Sequence, residues 1–402
     1  MNTISKTSPS SRDYYIDNIK GVFIYLVVLG HLLDYLEQMG VPFAVGVRTF
    51  IYFFHMPGFI FLSGFLAKSF VRKHFKGEKL LSYAWLYLLF KIAIEEVHFI
   101  FDRPYFENGA HNGIMLLLVV LFGVLIWILS WAYSNYPAFQ VIFMILVTGY
   151  ALVKINIFYV GSAPWYLMSL ILWYIFIYLT KNMNPKHVML GAIVMAAVLD
   201  YQEEIGKFLS LSRTINFLPF FLLGFYMTKD QFYRITNNKK LKIVLPVVMY
   251  LLMAIILRFG KYVRKACGIF IFGVSSYDGL IEEVYGFGPV FALLWMAVAT
   301  IMFFSVFIIC PRRKTFLAAF GKNSIAIYVF HRLVKDLLYY AGFYSILSSN
   351  QLISVGQVAL VSLLVTFLFG NTFSARVVTN LSEIKAHWFY KNGDLFYDEF
   401  KK

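Results

Sequence analysis

The sequence predicts an all-α, polytopic integral-membrane helical bundle of about 10–12 transmembrane helices. Three observations predict it. Of 402 residues, 60% are hydrophobic and only 14% charged, and the mean hydropathy is +0.70, too apolar for a soluble chain of this size. Apolar runs of the roughly 20 residues that cross about 30 Å of hydrocarbon follow one another almost end to end. The basic residues fall in short clusters between those runs rather than in one patch, so the net charge of +15 fits the orientation rule of membrane proteins, and no nucleic-acid partner is expected.

Taken in order, the expected spans are 19–39, 48–67, 80–101, 113–133, 138–154, 164–180, 188–200, 214–228, 243–259, 285–310, 323–345 and 353–374. The polar start MNTISKTSPSSRDYY is followed by an apolar run without a small-residue cleavage site, so the first run reads as a retained span rather than a removed signal peptide. The connection at 260–284, with GIFIFGVSSYDG, reads as a re-entrant loop or a covered apolar hairpin. An N-terminal segment 1–18, one membrane domain 19–375 and a C-terminal tail 376–402 make up the chain. With the N-terminus inside, 24 Lys and Arg fall in inner segments against nine in outer ones, so a cell-membrane location with both termini cytoplasmic is expected. Cys267 and Cys310 sit in different segments with no disulfide framework or metal-ligand spacing, and no metal is expected.

A titratable side chain at bilayer depth costs about 2.5–3.5 kcal/mol on insertion scales, so such groups face a bundle interior or a wet cavity. Here they are Lys20 and His31, Arg48 and His55, Lys91 with Glu95 and Glu96, and His331 with Arg332 and Lys335. At about 1.5 Å of rise per residue, His31 lies roughly 16 Å beyond Lys20, His55 about 10 Å beyond Arg48, and His331 about 12 Å beyond Asn323. Three imidazoles from three spans thus occupy the middle third of the bilayer. Each also has a plain structural reading as a hydrogen-bonding helix contact. Lys91 and Glu95 stand four apart and read as a pair on one helix face, the abundant Phe and Tyr as packing and interface belts, and Asp34 and Glu37 as solvated.

The stretches IDNIKGVFIYLVVLGH, FFHMPGFIFLSGFLAKSF, SAPWYLMSLILWY, FLPFFLLGFY and GKNSIAIYVFH, in that order, resemble the integral-membrane acyltransferase 3 family, with the nearest look to its fucose 4-O-acetylase-like branch. The similarity covers about residues 12–345. It implies an enzyme that takes an acyl group, usually acetyl, from cytoplasmic acyl-CoA and places it on a hydroxyl of an envelope glycan. The family's basic residue and histidine, ten residues between them, fall on Lys20 and His31. Many members have arginine first, and lysine keeps the point charge but not the bidentate grip on phosphate. Arg48 and Met56–Phe65 match the second-span motif, and Trp165, Asn323 and His331 the later ones. KLLSYAW lacks the proline that often opens the third span.

Acyl transfer to an alcohol needs a proton acceptor, and imidazole, with an ordinary pKa of about 6.5, suits that role at neutral pH. His31 is therefore expected to be the base or a transient acyl carrier. Arg48 and His331 complete the expected catalytic set as cavity-lining groups that stabilise an oxyanion. Lys20, Arg72, Lys73 and Lys76, with Lys79, would attract the CoA phosphates. His55, Trp165 and Asn323 are expected to meet the acceptor. Expected partners are acyl-CoA as co-substrate, an envelope glycan or lipid-linked sugar, the bilayer and glycan-synthesis machinery. The rival from another class is a transporter or flippase of an envelope glycan, since spans with midplane ionisable groups describe that too.

Overall fold

A computed structural model describes residues 13–72, 77–102, 112–161, 163–198, 206–273 and 286–384. Its helices are α1 (Tyr14–Gln38), α2 (Pro42–Arg72), α3 (Gly77–Phe101), α4 (Asn112–Asn135), α5 (Pro137–Lys154), α6 (Trp165–Leu179), α7 (Pro185–Val198), α8 (Leu211–Tyr226), α9 (Lys229–Asn237), α10 (Leu241–Arg258), α11 (Gly260–Phe272), α12 (Gly288–Ile309), α13 (Phe316–Lys322), α14 (Ser324–Tyr340), α15 (Gln351–Phe369) and α16 (Thr372–Ser382). No strand occurs among the described residues; one isolated bridge joins Tyr159 to Phe208.

Every expected span has its helix, but among the described residues only seven helices are long and apolar enough by themselves to cross a membrane: α1, α2, α4, α5, α10, α12 and α15. The other five expected spans differ for identifiable reasons. Helices α6, α7 and α8 have 15, 14 and 16 residues, so each reaches only about 21–24 Å at helical rise. Helices α3 and α14 carry the charged residues noted above. In the segment 260–284, the first half is α11, whose Ile269, Phe270 and Ile271 are buried. Residues 274–285 lie outside the described residues, as do 1–12 and 385–402 of the expected terminal segments.

Burial sorts the helices into two populations. Apolar side chains of α4, α5 and α10, among them Leu116, Ile145, Leu146, Ile243 and Tyr250, are exposed, as expected of surfaces whose solvent is lipid. Helices α1, α2, α6, α8, α12 and α14 supply most of the buried core. Close backbone approach sets part of their packing. A Cβ at Gly64 of α2 would collide with the Phe221 carbonyl of α8, and one at Gly224 with the Phe61 carbonyl of α2, so the two helices cross backbone to backbone, as small residues allow in membranes.

The α1–α2 hairpin orders the site. Gly40, at φ +80°, ends α1 in the left-handed region that glycine tolerates best. There the Val41 N–H donates to the Leu36 carbonyl at 3.0 Å, and Pro42 opens α2 with its fixed φ. At the other end of α1, Asn18 donates to the carbonyls of Pro311 and Arg313 at 2.8 and 2.7 Å and accepts from Thr315 at 2.7 Å. That clasp sets α13 against α1, and α14 then runs up beside α1.

Candidate active site

The tight α1–α2 turn brings Tyr52 of α2 alongside Gly30 of α1, where a Cβ would stand 2.6 Å from the tyrosine ring. Glycine at 30 is thus what lets the aromatic ring lie against the helix next to His31. The imidazole of His31 is 5.2 Å from that of His331 and 6.5 Å from Tyr52, centroid to centroid, and Tyr52 is 4.5 Å from His55. The three spans therefore do bring their imidazoles together, two in direct apposition and the third through a shared tyrosine. Tyr328, one turn before His331 on α14, lies 6.1 Å from it.

These imidazoles differ in exposure. His331 and His55 are 0% and 1% exposed, whereas His31 is partly exposed. Nδ1 of His331 lies 2.9 Å from the Ile327 carbonyl and Nδ1 of His55 2.9 Å from the Ile51 carbonyl. A carbonyl only accepts, so Nδ1 carries the proton in each and Nε2 presents a lone pair. Nε2 of His331 is buried with no hydrogen-bond partner. Buried polar atoms nearly always have a partner, and a bare imidazole nitrogen can accept a hydrogen bond or a proton.

Toward the C-terminal end of α1 the charges form a closed lattice. Arg48 pairs with Asp34 at 2.8 Å and with Glu37, and its Nε donates to the Gly30 carbonyl at 3.1 Å. Lys335 of α14 pairs with Asp34 at 2.8 Å, Arg264 of α11 with Glu37 at 3.0 Å, and Asp336 with Arg332 and, at 3.5 Å, with His98. Asp34 and Glu37, expected to be solvated, are instead the counter-ions that make buried cations tolerable. Arg48, expected to stabilise an oxyanion, is tied into this lattice. Each of its three guanidinium nitrogens already has a partner, and its plane sits 4.7 Å above the Tyr52 ring. The arrangement fits Arg48 to hold α1, α2 and Tyr52 in register.

The remaining expected site residues fall in separate places. Trp165 opens α6, stacks on Phe217 at 5.6 Å and lies under the Arg213 guanidinium at 5.1 Å. Asn323, between α13 and α14, donates to the Gly370 carbonyl at 2.7 Å, a tie between helix ends away from the imidazoles. Lys20 is half-buried on α1, and eleven residues are close to three full turns, so it lies on the same side of the helix as His31. Arg72 ends α2, while Lys73 and Lys76 lie outside the described residues. Lys79 donates to the Tyr174 hydroxyl at 3.4 Å. Lys91, with Glu95 as a favourable charge nearby, donates to the carbonyls of Asn156 and Tyr159 and ties down the segment before α6.

Sequence reasoning missed Tyr52 and Arg213. Tyr52 follows Arg48 by one helical turn and precedes His55 by nearly one, a spacing that signals a shared face. Arg213 stands one residue before an expected span, which disguised it as a loop cation.

An acyltransferase domain family, acyltransferase 3, matches residues 13–371. The nodulation protein NolL of Mesorhizobium japonicum is 41% identical over 70 residues, 16% of this chain and 18% of that protein. The match thus spans under a fifth of that relative. No solved structure matches the chain. With two imidazoles held in apposition inside a helical bundle and a family match over most of its length, the chain belongs to the acyltransferase 3 family.

Proposed function

We propose that the protein transfers an acyl group, acetyl in the first instance, from cytoplasmic acyl-CoA to a hydroxyl of a cell-envelope glycan or polysaccharide, as in the fucose 4-O-acetylase-like branch. The observation that carries this reading is the 5.2 Å apposition of His31 and His331, the first partly exposed and the second buried with a bare Nε2. With both termini cytoplasmic, Lys20 stands on the donor side and would draw in the CoA phosphates, joined by Arg72, Lys73 and Lys76. On the opposite side Tyr35 stacks on Tyr339 at 4.5 Å and meets Tyr344 at 4.8 Å, aromatic surfaces suited to a sugar ring.

In the reaction the acceptor oxygen attacks the thioester carbonyl carbon while His31 takes the hydroxyl proton. The carbon–sulfur bond then breaks, and the departing thiolate recovers that proton as CoA-SH. His331 shares the transient positive charge through its lone pair, and Arg48 and Tyr52 hold His31's helix in place. His55 and Trp165 line the approach. His31→Ala is expected to lower acyl transfer about 10³-fold or more, read as acylated surface glycan by mass spectrometry, with unaltered membrane insertion. Wild-type levels of acylation in that variant would overturn the reading, as would glycan flux across vesicles without loss of acyl-CoA.

A further inference from the structure

Helix α8 begins with a cation that its surroundings leave incomplete. Arg213 donates from Nε to the Phe272 carbonyl at 3.2 Å and lies 5.1 Å above the Trp165 ring, yet its Nη1 is buried without any hydrogen-bond partner. The residues that hold it reach the imidazoles: the Phe272 ring lies 4.8 Å from Tyr52, and Tyr328 donates to the Ala163 carbonyl just before Trp165, these being the two tyrosines that border His31 and His331. Arg48, Arg332 and Lys335 each pair with a carboxylate and Lys91 with two carbonyls. No carboxylate pairs with Arg213 among the described residues. A buried guanidinium with a spare donor is costly unless something anionic, or becoming so, arrives there.

The segment carrying Arg213 is held firmly. Leu209 and Ser210 adopt φ of 47° and 56°, a left-handed pair that non-glycine residues keep only where the surroundings enforce it. Ser212 donates to the Gly273 carbonyl at 2.8 Å, Thr214 shares a 2.7 Å bond with Ser169, and Trp173 donates to the Thr214 carbonyl at 2.8 Å. The residues on both sides of Arg213 are thus pinned to α6 and to the end of α11. A donor fixed this way needs no reorganisation when charge develops in front of it.

Building on the acyl transfer inferred above, we propose that Arg213 is a catalytic residue whose Nη1 donates to the carbonyl oxygen of the acyl group. When the acceptor oxygen adds to the carbonyl carbon, the C=O π pair moves onto that oxygen, where the Arg213 N–H meets it. The pair returns to re-form C=O as the carbon–sulfur bond breaks and sulfur leaves with the proton held by His31. Trp165 supports the guanidinium plane by cation–π contact, and the oxyanion contact is assigned to a cation that no carboxylate pairs with among the described residues.

The test uses full-length protein in nanodiscs with acetyl-CoA as probe, following release of free CoA. Arg213→Gln is expected to lower kcat about 10²–10³-fold with KM for acetyl-CoA within about twofold, as loss of a transition-state contact requires. Arg213→Lys, which keeps the charge, guards against misfolding and is expected to recover part of kcat, and millimolar guanidinium to rescue Arg213→Ala. A ketone analogue of acetyl-CoA should bind the wild type more tightly than the S-ethyl thioether, and Arg213→Gln should erase that gap. Turnover by Arg213→Gln within about threefold of wild type, or equal loss of both analogues, would overturn this assignment alone. A wild type that neither binds nor turns over acetyl-CoA would overturn the donor assignment beneath it.

Discussion

Two neighbouring layers of this bundle solve opposite problems. In the lattice around Asp34, Glu37 and Asp336, every cation has an anion: Arg48, Lys335, Arg264 and Arg332 are all paired. In the layer below it, His331 Nε2 and Arg213 Nη1 are buried and unbonded, whereas in the lattice the one such atom among the described residues, Asp336 Oδ2, has His98 at 3.5 Å. Pairing makes charge bearable in a low-dielectric setting and fixes geometry, whereas withheld partners keep donors and acceptors available for a visitor. The first layer therefore reads as scaffold and the second as chemistry, although one helical turn of α1 separates them.

That contrast can be broken by experiment, and the largest effect is expected from the lattice. Arg48→Ala strands Asp34 and Glu37 with reduced counter-charge and should destabilise the folded protein by about 3–5 kcal/mol, read as a lowered unfolding temperature in detergent. His31→Ala should leave that temperature close to wild type while removing activity; a shared loss of stability in both variants would erase the distinction. Gly30→Ala is a smaller intrusion. Its methyl would stand 2.6 Å from the Tyr52 ring and, as overpacking, should cost about 1–3 kcal/mol and slow acyl transfer by displacing Tyr52; unaltered kinetics would remove the tyrosine from the site. Asn323→Ala deletes one bond to the Gly370 carbonyl and should cost about 1 kcal/mol without changing KM for donor or acceptor. A changed KM for the acceptor would support the binding role the sequence suggested for Asn323.

What could be read in advance follows from which signals are local. Apolar runs announce helices directly, so all twelve expected spans coincide with helices, and the meeting of His31, His331 and, through Tyr52, His55 is allowed by their spacing along those runs. Short amphipathic pieces are harder to see. Helices α9, α11, α13 and α16 lie between or after the apolar runs, and their burial depends on neighbours far along the chain, as when Asn18 anchors 311–315. Pairing across helices is equally hidden. Asp34 and Glu37 look like solvated residues until Lys335 and Arg264 arrive from other helices, about 300 and 230 residues away. For the same reason Arg48 looks available in sequence and occupied in space, while Arg213 looks ordinary and is incomplete.

The crossing of α2 and α8 at Gly64 and Gly224 carries a mechanical consequence. Two backbones in van der Waals contact cannot draw closer, and separating them forfeits the whole interlocked seam. This pair is a keel, and α2 and α8 are expected to move as one body. Paired spin labels across the seam should report a single unchanging separation throughout turnover.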